Sequence, residues 1–160
     1  MAQDAKTYYP EGVSRVSPYL ICRDAAKAID FYVAAFGAED RGRMAGPDGK
    51  IMHAMILLEG ASIMLVDENS ERGMRSPQTL GGSASSVHVF VPDVDALMSR
   101  AEDKGATVTM PAADQFWGDR FGMLTDPFGH SWSFATHQRV LDADEMRAAA
   151  ATAFSQDCHD

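Results

Sequence analysis

Basic charge, cysteine and long apolar runs are what this sequence has least of. Lys and Arg number 14 against 23 Asp and Glu, which leaves a net charge of -9 over 160 residues. That balance argues against a nucleic-acid backbone or an anionic membrane as partner. Only two cysteines occur, Cys22 and Cys158, too few and too far apart for a disulfide framework. Cys22 lies in an apolar stretch and reads as a buried thiol, while Cys158 sits in a polar tail. A reducing, cytoplasmic setting is the expectation. No apolar run is long enough for a bilayer, and Met1 to Tyr9 lacks the apolar core of a signal peptide. There is no Gly-rich phosphate loop with Lys and Ser or Thr, no Gly-x-Ser-x-Gly elbow, and no cysteine spacing of a metal or redox motif.

What is present is a repeat within a chain that is 46% hydrophobic, enough for one globular domain with a real core. Ser17 to Asp24 is an apolar strand ending at an Asp, followed by a helical run to Phe36 and then Gly37-Ala38. Ser86 to Asp93 repeats this, with a helical run to Lys104 and then Gly105-Ala106. Asp caps a helix start and Gly ends a helix. The Asp-to-Gly spacing is 13 positions in the first copy and 12 in the second. A duplicated strand–helix unit predicts two curved half-sheets with a cleft between them, so functional residues are sought on cleft-facing positions. Ten Met residues suit an adaptable core or an accommodating apolar pocket.

The first module, about 14–67, reads as strand–helix–strand–strand–strand. Val16 to Cys22 is a strand. Ala25, Ile29, Tyr32, Val33 and Phe36 form one helix face. Ala38 to Met44 is a weaker strand. Ile51 to Leu58 and Ala61 to Val66 are strands joined at Glu59-Gly60. Glu68 to Ser85, polar and rich in Gly and Ser, reads as a linker. The second module, about 86–137, repeats the order. It has a strand over Ser86 to Val91 and a helix with Val94, Leu97, Met98 and Ala101 on one face. Strands follow over Thr107 to Met110, Asp119 to Thr125 and Ser131 to Ala135. Residues 1–13 form an N-terminal arm, 14–140 the domain, and 141–160 a C-terminal helix and tail. Asp142 and Glu145 stand at capping-box spacing. The expected class is α+β: two tandem strand–helix–three-strand modules forming a curved cleft, plus a C-terminal helix.

The segment Trp117-Gly118-Asp119-Arg120-Phe121-Gly122-Met123-Leu124-Thr125-Asp126-Pro127-Phe128-Gly129-His130-Ser131-Trp132-Ser133 resembles the vicinal-oxygen-chelate superfamily, and within it the PhnB-like branch. Ala28-Ile29-Asp30-Phe31-Tyr32, Phe36-Gly37-Ala38 and Ile63-Met64-Leu65 support this. The superfamily includes glyoxalase I, extradiol dioxygenases, and fosfomycin- and bleomycin-resistance proteins. The resemblance covers about residues 14–140. It implies a two-fold homodimer, with modules exchanged or not. It also implies metal-ligand positions on the first, fourth, fifth and eighth strands. Three of these fall on Ser17, Ser86 and Ser133, and the fourth strand, Ser62 to Val66, offers neither His nor carboxylate. Hydroxyls are poor ligands for a divalent transition metal beside imidazole or carboxylate. No cofactor is therefore expected.

His88 alternates with Ser86 and Phe90, so the three share a face. It reads as a hydrogen-bond partner or general base in the cleft, and so as the candidate catalytic residue, or as a core histidine. His53 shares a face with Met55 and Leu57. It reads as an interior histidine or, with His88, as an atypical metal pair. His130 reads as stabilising its turn. His137 and His159, towards the tail, receive no role. Arg120 either clamps a carboxylate or phosphate, or pairs as scaffold with Asp119, Asp126 or Glu102. Trp117 stacks on a flat ligand or caps the sheet. Trp132, alternating away from Ser133, packs on the helix.

The favoured expectation is a cytoplasmic homodimer that binds a small organic molecule in an apolar cleft without a metal. Tyr19, Met55, Phe90, Trp117 and Phe121 would form walls, with Ser17, Ser86, His88, Arg120 and Ser133 as polar points. Bleomycin-resistance-type members need no catalysis. One alternative is a glyoxalase-type lyase, isomerase or dioxygenase holding a divalent metal through His53 and His88 or through residues of both subunits. The other is a scaffold with a vestigial cleft.

Overall fold

A computed structural model describes residues 7–156. Cys158, His159, the rest of the tail beyond 156 and residues 1–6 of the arm lie outside the described residues. The chain divides into two compact units. The first holds the chain up to Ala84 together with Pro127–His130; the second holds Ser85–Asp126 and the chain from Ser131. Among the described residues no helix is long and apolar enough to cross a membrane.

In the first unit β1 (Tyr19–Cys22) leads into α1 (Ala25–Phe31), followed by β2 (Glu39–Ala45), β3 (Ile51–Leu58) and β4 (Ala61–Asp67). The sheet order is β1-β4-β3-β2, with β1 parallel to β4 and the other pairs antiparallel. Asp24 caps α1 by accepting the Lys27 N–H, as its short acceptor side chain allows. Ala54, Ile56 and Leu58 of β3 and Ile63 and Leu65 of β4 are buried with Ala28 and Ile29 of α1. Strand alternation leaves His53, Met55 and Met64 on the opposite, open face. The hairpin between β3 and β4 turns at Glu59 (φ 48°) and Gly60 (φ 77°). Two positive φ angles are what a two-residue hairpin of matching twist requires.

The helix does not stop at Phe31. It widens into a π-helical turn over Tyr32–Phe36, where the Gly37 N–H reaches back to the Tyr32 carbonyl. Such a turn absorbs one extra residue. The longer Asp-to-Gly spacing of the first copy is located here, because the second copy's helix has no such turn.

The stretch 68–85, expected as plain linker, contains a 3-10 turn (Ser70–Arg72) and α2 (Pro77–Leu80). Glu68 organises it: its Oε2 accepts the Ser76 N–H at 3.1 Å, the Ser76 hydroxyl at 2.8 Å and the Thr79 hydroxyl at 2.7 Å. These donors hold its carboxyl below the usual range. Pro127–His130 belongs to this unit. Phe128 meets Phe31 and Tyr32 edge-on, and His130 Nε2 lies 3.6 Å from the buried Cys22 Sγ. His130 thus packs into a core as well as ending a turn.

The second unit contains β5 (Ser86–Phe90), α3 (Val94–Asp103), β6 (Thr107–Asp114), β7 (Asp119–Thr125), β8 (Ser131–His137) and α4 (Ala143–Gln156). Its sheet order is β5-β8-β7-β6, with β5 parallel to β8. Val94, Leu97, Met98 and Ala101 of α3 are buried together with Leu124, Trp132 and Phe134 of the sheet. Trp132 stacks on Phe134 at 6.0 Å and donates Nε1–H to Asp126 at 2.8 Å. β6 continues past Met110 through Pro111. It is an edge strand with two register shifts, the setting in which a strand tolerates proline. At α4, Asp142 accepts the Asp144 and Glu145 N–H groups and Glu145 accepts the Asp142 N–H, a reciprocal cap.

Candidate functional site

The open face of the second unit's sheet collects most of the expected site residues. Across β5 and β8, His88 stands opposite Ser133, and Phe90 opposite Ala135; across β8 and β7, Ser133 stands opposite Met123, and Ala135 opposite Phe121. Period-two alternation puts all of these on the face away from α3. His88 Nδ1 is 2.9 Å from the Ser133 hydroxyl. Its ring meets Phe90 edge-on at 4.8 Å and lies nearly parallel to Phe121 at 5.9 Å. Trp117, on the loop before β7, packs edge-on against Phe121 at 5.7 Å. Phe90 is 55% exposed although it is a large apolar side chain. Ser86 is exposed opposite Ser131.

Arg120 is separated from this group. Adjacent strand residues face opposite ways, and Arg120 points to the α3 side. There its Nη2 donates to Asp95 Oδ1 at 2.8 Å and its Nη1 to Asp114 Oδ1 at 3.0 Å. The paired guanidinium holds the Asp95 carboxyl below its usual range, and the guanidinium is itself raised by the two carboxylates. Its partners are Asp95 and Asp114, not the Asp119, Asp126 or Glu102 considered from sequence.

The first unit has a related face. Tyr19 stands opposite Met64, and Met64 opposite Met55. Tyr19 and His53 meet edge-on at 6.2 Å. Ser17 lies just before β1, with its Oγ 2.6 Å from that of the fully buried Ser62. Ser62 Oγ also accepts the Ser14 N–H. Tyr19, Ile51, Met52, Val66 and Met74 line an open cavity of about 410 Å³, with Lys50 and Arg72 among its polar residues.

The donor chemistry does not fit a divalent metal at the superfamily's positions. Ser133 is engaged with His88, Ser17 with Ser62, and Met64 stands on β4 at the register of Ser133. Among the described residues no group of three or more His, Cys, Asp and Glu could hold a metal ion. His53 belongs to the first unit and His88 to the second.

A pair absent from the expected site is His137 and Asp119. They stand opposite each other on β8 and β7, on the same face as Phe121 and Ser133, with Nδ1 2.6 Å from Asp119 Oδ1. The readable signal was register: pairing β7 with β8 through the turn at 126–130 brings these residues level.

Residues 13–134 match the sequence model of the Glyoxalase/Bleomycin resistance protein/Dioxygenase superfamily. An uncharacterized protein of Mycobacterium tuberculosis is 47% identical over 137 residues, covering 84% of this chain and 81% of that protein. The crystal structure of TioX from Micromonospora sp. ML1 superposes with a TM-score of 0.61 at 29% identity, covering 78% of this chain and 98% of that one. A PhnB protein from Bacillus cereus shares the fold, with a TM-score of 0.59 at 20% identity over 77% of this chain and 99% of its own. The chain belongs to the glyoxalase/bleomycin-resistance/dioxygenase superfamily, the vicinal-oxygen-chelate group.

Proposed function

We propose that this protein binds a small, flat, largely apolar organic molecule on the open face of its second unit, without a metal. The observation that carries the reading is the His88–Ser133 hydrogen bond flanked by Phe90 and Phe121. An aromatic surface with one polar point stands where metal-using relatives carry a ligand. Burying aromatic area contributes roughly 25 cal/mol per Å², and a few placed polar groups orient such a ligand. His88 is the orienting group, as hydrogen-bond partner or as general base; Trp117, Phe90 and Phe121 are the walls. The first unit's Tyr19 and Met55 offer a second aromatic and thioether surface of the same type. Arg120, committed to two carboxylates on the other face, is scaffold. The protein works as a cytoplasmic homodimer in this reading.

Trp117 provides the test. A panel of neutral and anionic planar aromatics is titrated while tryptophan fluorescence is followed in wild type, in Trp117→Phe and in Phe121→Ala. Saturable quenching is expected in wild type, absent in Trp117→Phe because Trp132 is fully buried, and shifted to higher concentration in Phe121→Ala. No saturable response from any compound would overturn the reading.

A further inference from the structure

The aromatic walls and His88 leave the Asp119–His137 pair without a task. Its geometry is specific. The Asp119 side chain is 12% exposed, whereas that of His137 is 54% exposed. An ionised carboxylate only accepts hydrogen bonds, so the contact at 2.6 Å requires the hydrogen on Nδ1. In the neutral ring the lone pair is then on Nε2, the nitrogen turned away from the carboxylate. His88 differs: its partner is a hydroxyl, which donates or accepts, so its tautomer is not dictated. The surroundings of His137 are fixed as well. The Gly118 carbonyl accepts the N–H groups of Gln138 and Arg139 at 3.0 and 2.9 Å, which ties the end of β8 to the loop that carries Trp117.

Two residue pairs along the ladder from Asp119–His137, and next to it on the same face, stands Phe121–Ala135, with Phe90 beyond it. An aromatic wall therefore lies next to a hydrogen-bond acceptor of defined tautomer. We infer that His137 is the contact that selects hydroxylated aromatic ligands: the ring lies against Phe121 and Trp117, and its O–H donates to Nε2. Asp119 is a positioning residue that acts through His137. For an acidic phenol the proton moves to Nε2, leaving a phenolate beside an imidazolium that Asp119 stabilises; no other bond changes. The inference rests on the reading that this face binds the ligand, and it names the ligand class.

β-Naphthol and its methyl ether, which share the ring system and differ in the O–H, are the probes. Both are titrated by equilibrium dialysis at mildly alkaline pH. Wild type is expected to hold the naphthol about tenfold more tightly than the ether, the value of one hydrogen bond of about 1.4 kcal/mol. His137→Asn should bring the two affinities together with the ether unchanged. Asp119→Asn, whose amide donates as well as accepts, should lower the preference, and Asp119→Glu should restore part of it. Nitrogen chemical shifts of the His137 ring should report a hydrogen on Nδ1 in wild type and a mixture of tautomers in Asp119→Asn. Equal affinity of wild type for both probes, with Phe121→Ala weakening both, would overturn the role of His137 and leave the binding face standing. Failure of wild type to bind either probe would overturn both.

Discussion

Tyr19 and His88 occupy the same position in their respective units. Tyr19 stands opposite Met64 across parallel strands, and His88 opposite Ser133; the antiparallel neighbours are Met55 and Met123. The next open-face position on β3 is His53, and on β7 it is Phe121. Each unit therefore sets one imidazole against one aromatic ring, at 6.2 Å in the first and 5.9 Å in the second. The two residue types have traded strands between the copies.

Protein purified without chelator and analysed for zinc, nickel, manganese and iron is expected to contain far less than one ion per chain. Hydroxyl and thioether groups at the superfamily's positions lack the affinity. Close to one ion per chain, lost on Ser133→Ala or Ser86→Ala, would contradict this. Loss on His53→Ala and His88→Ala instead would support the metal-dependent enzyme.

Arg120→Lys should leave the relative affinity for aromatic acids and their uncharged analogues unchanged, because the side chain serves the other face. It should lower the thermal midpoint, since Lys cannot reproduce the forked contact with Asp95 and Asp114. The pH dependence follows from the depressed Asp95 carboxyl. A group whose folded-state value is lowered adds stability above the usual carboxylate range and loses it as pH falls towards the lowered value. The midpoint difference between wild type and Asp95→Asn should therefore be present at neutral pH and shrink in acid. The same difference at every pH would show that the ion pair is not its source.

Trp132→Phe should cost about 1–3 kcal/mol, because it removes an N–H donor from the buried Asp126 carboxylate. Denaturant unfolding measures this. Trp132→Phe combined with Asp126→Leu should recover part of the loss if the lost N–H donor dominates.

Light scattering at micromolar concentration is expected to report a dimer with an interface above roughly 1,000 Å². A monomer would remove the homodimer from the proposal.

Much of the fold was legible because alternation and capping are local signals. β3 and β7 have the limits read from sequence, and Asp24, Asp93 and Asp142 cap the helices they precede. β6 was cut short at Met110, because proline argues against a strand unless the strand is known to be an edge, and edges are a tertiary fact. The helix at Pro77–Leu80 was hidden by its length: its order comes from Glu68, several residues away. The separation of Arg120 from Phe121 was available in principle, since neighbours on a strand point apart. His137 was missed because its partner lies on another strand, visible only after the hairpin register is set.

The widened turn at Tyr32–Phe36 also bears on how the two copies have diverged in length. A residue inserted in an ordinary helix would rotate everything after it by about 100° and turn Phe36 out of the core. The looser turn works as an expansion joint, so Ala35 and Phe36 remain buried and the chain enters β2 on course. Between the paired positions Met123 and Ser133 the second copy carries one residue more than the first does between Met55 and Met64, and this restores the spacing lost at the helix. The halves have thus exchanged length between helix and turn while their strands stay in step. A duplicated ancestor is accordingly best reconstructed from strand register and not from residue count.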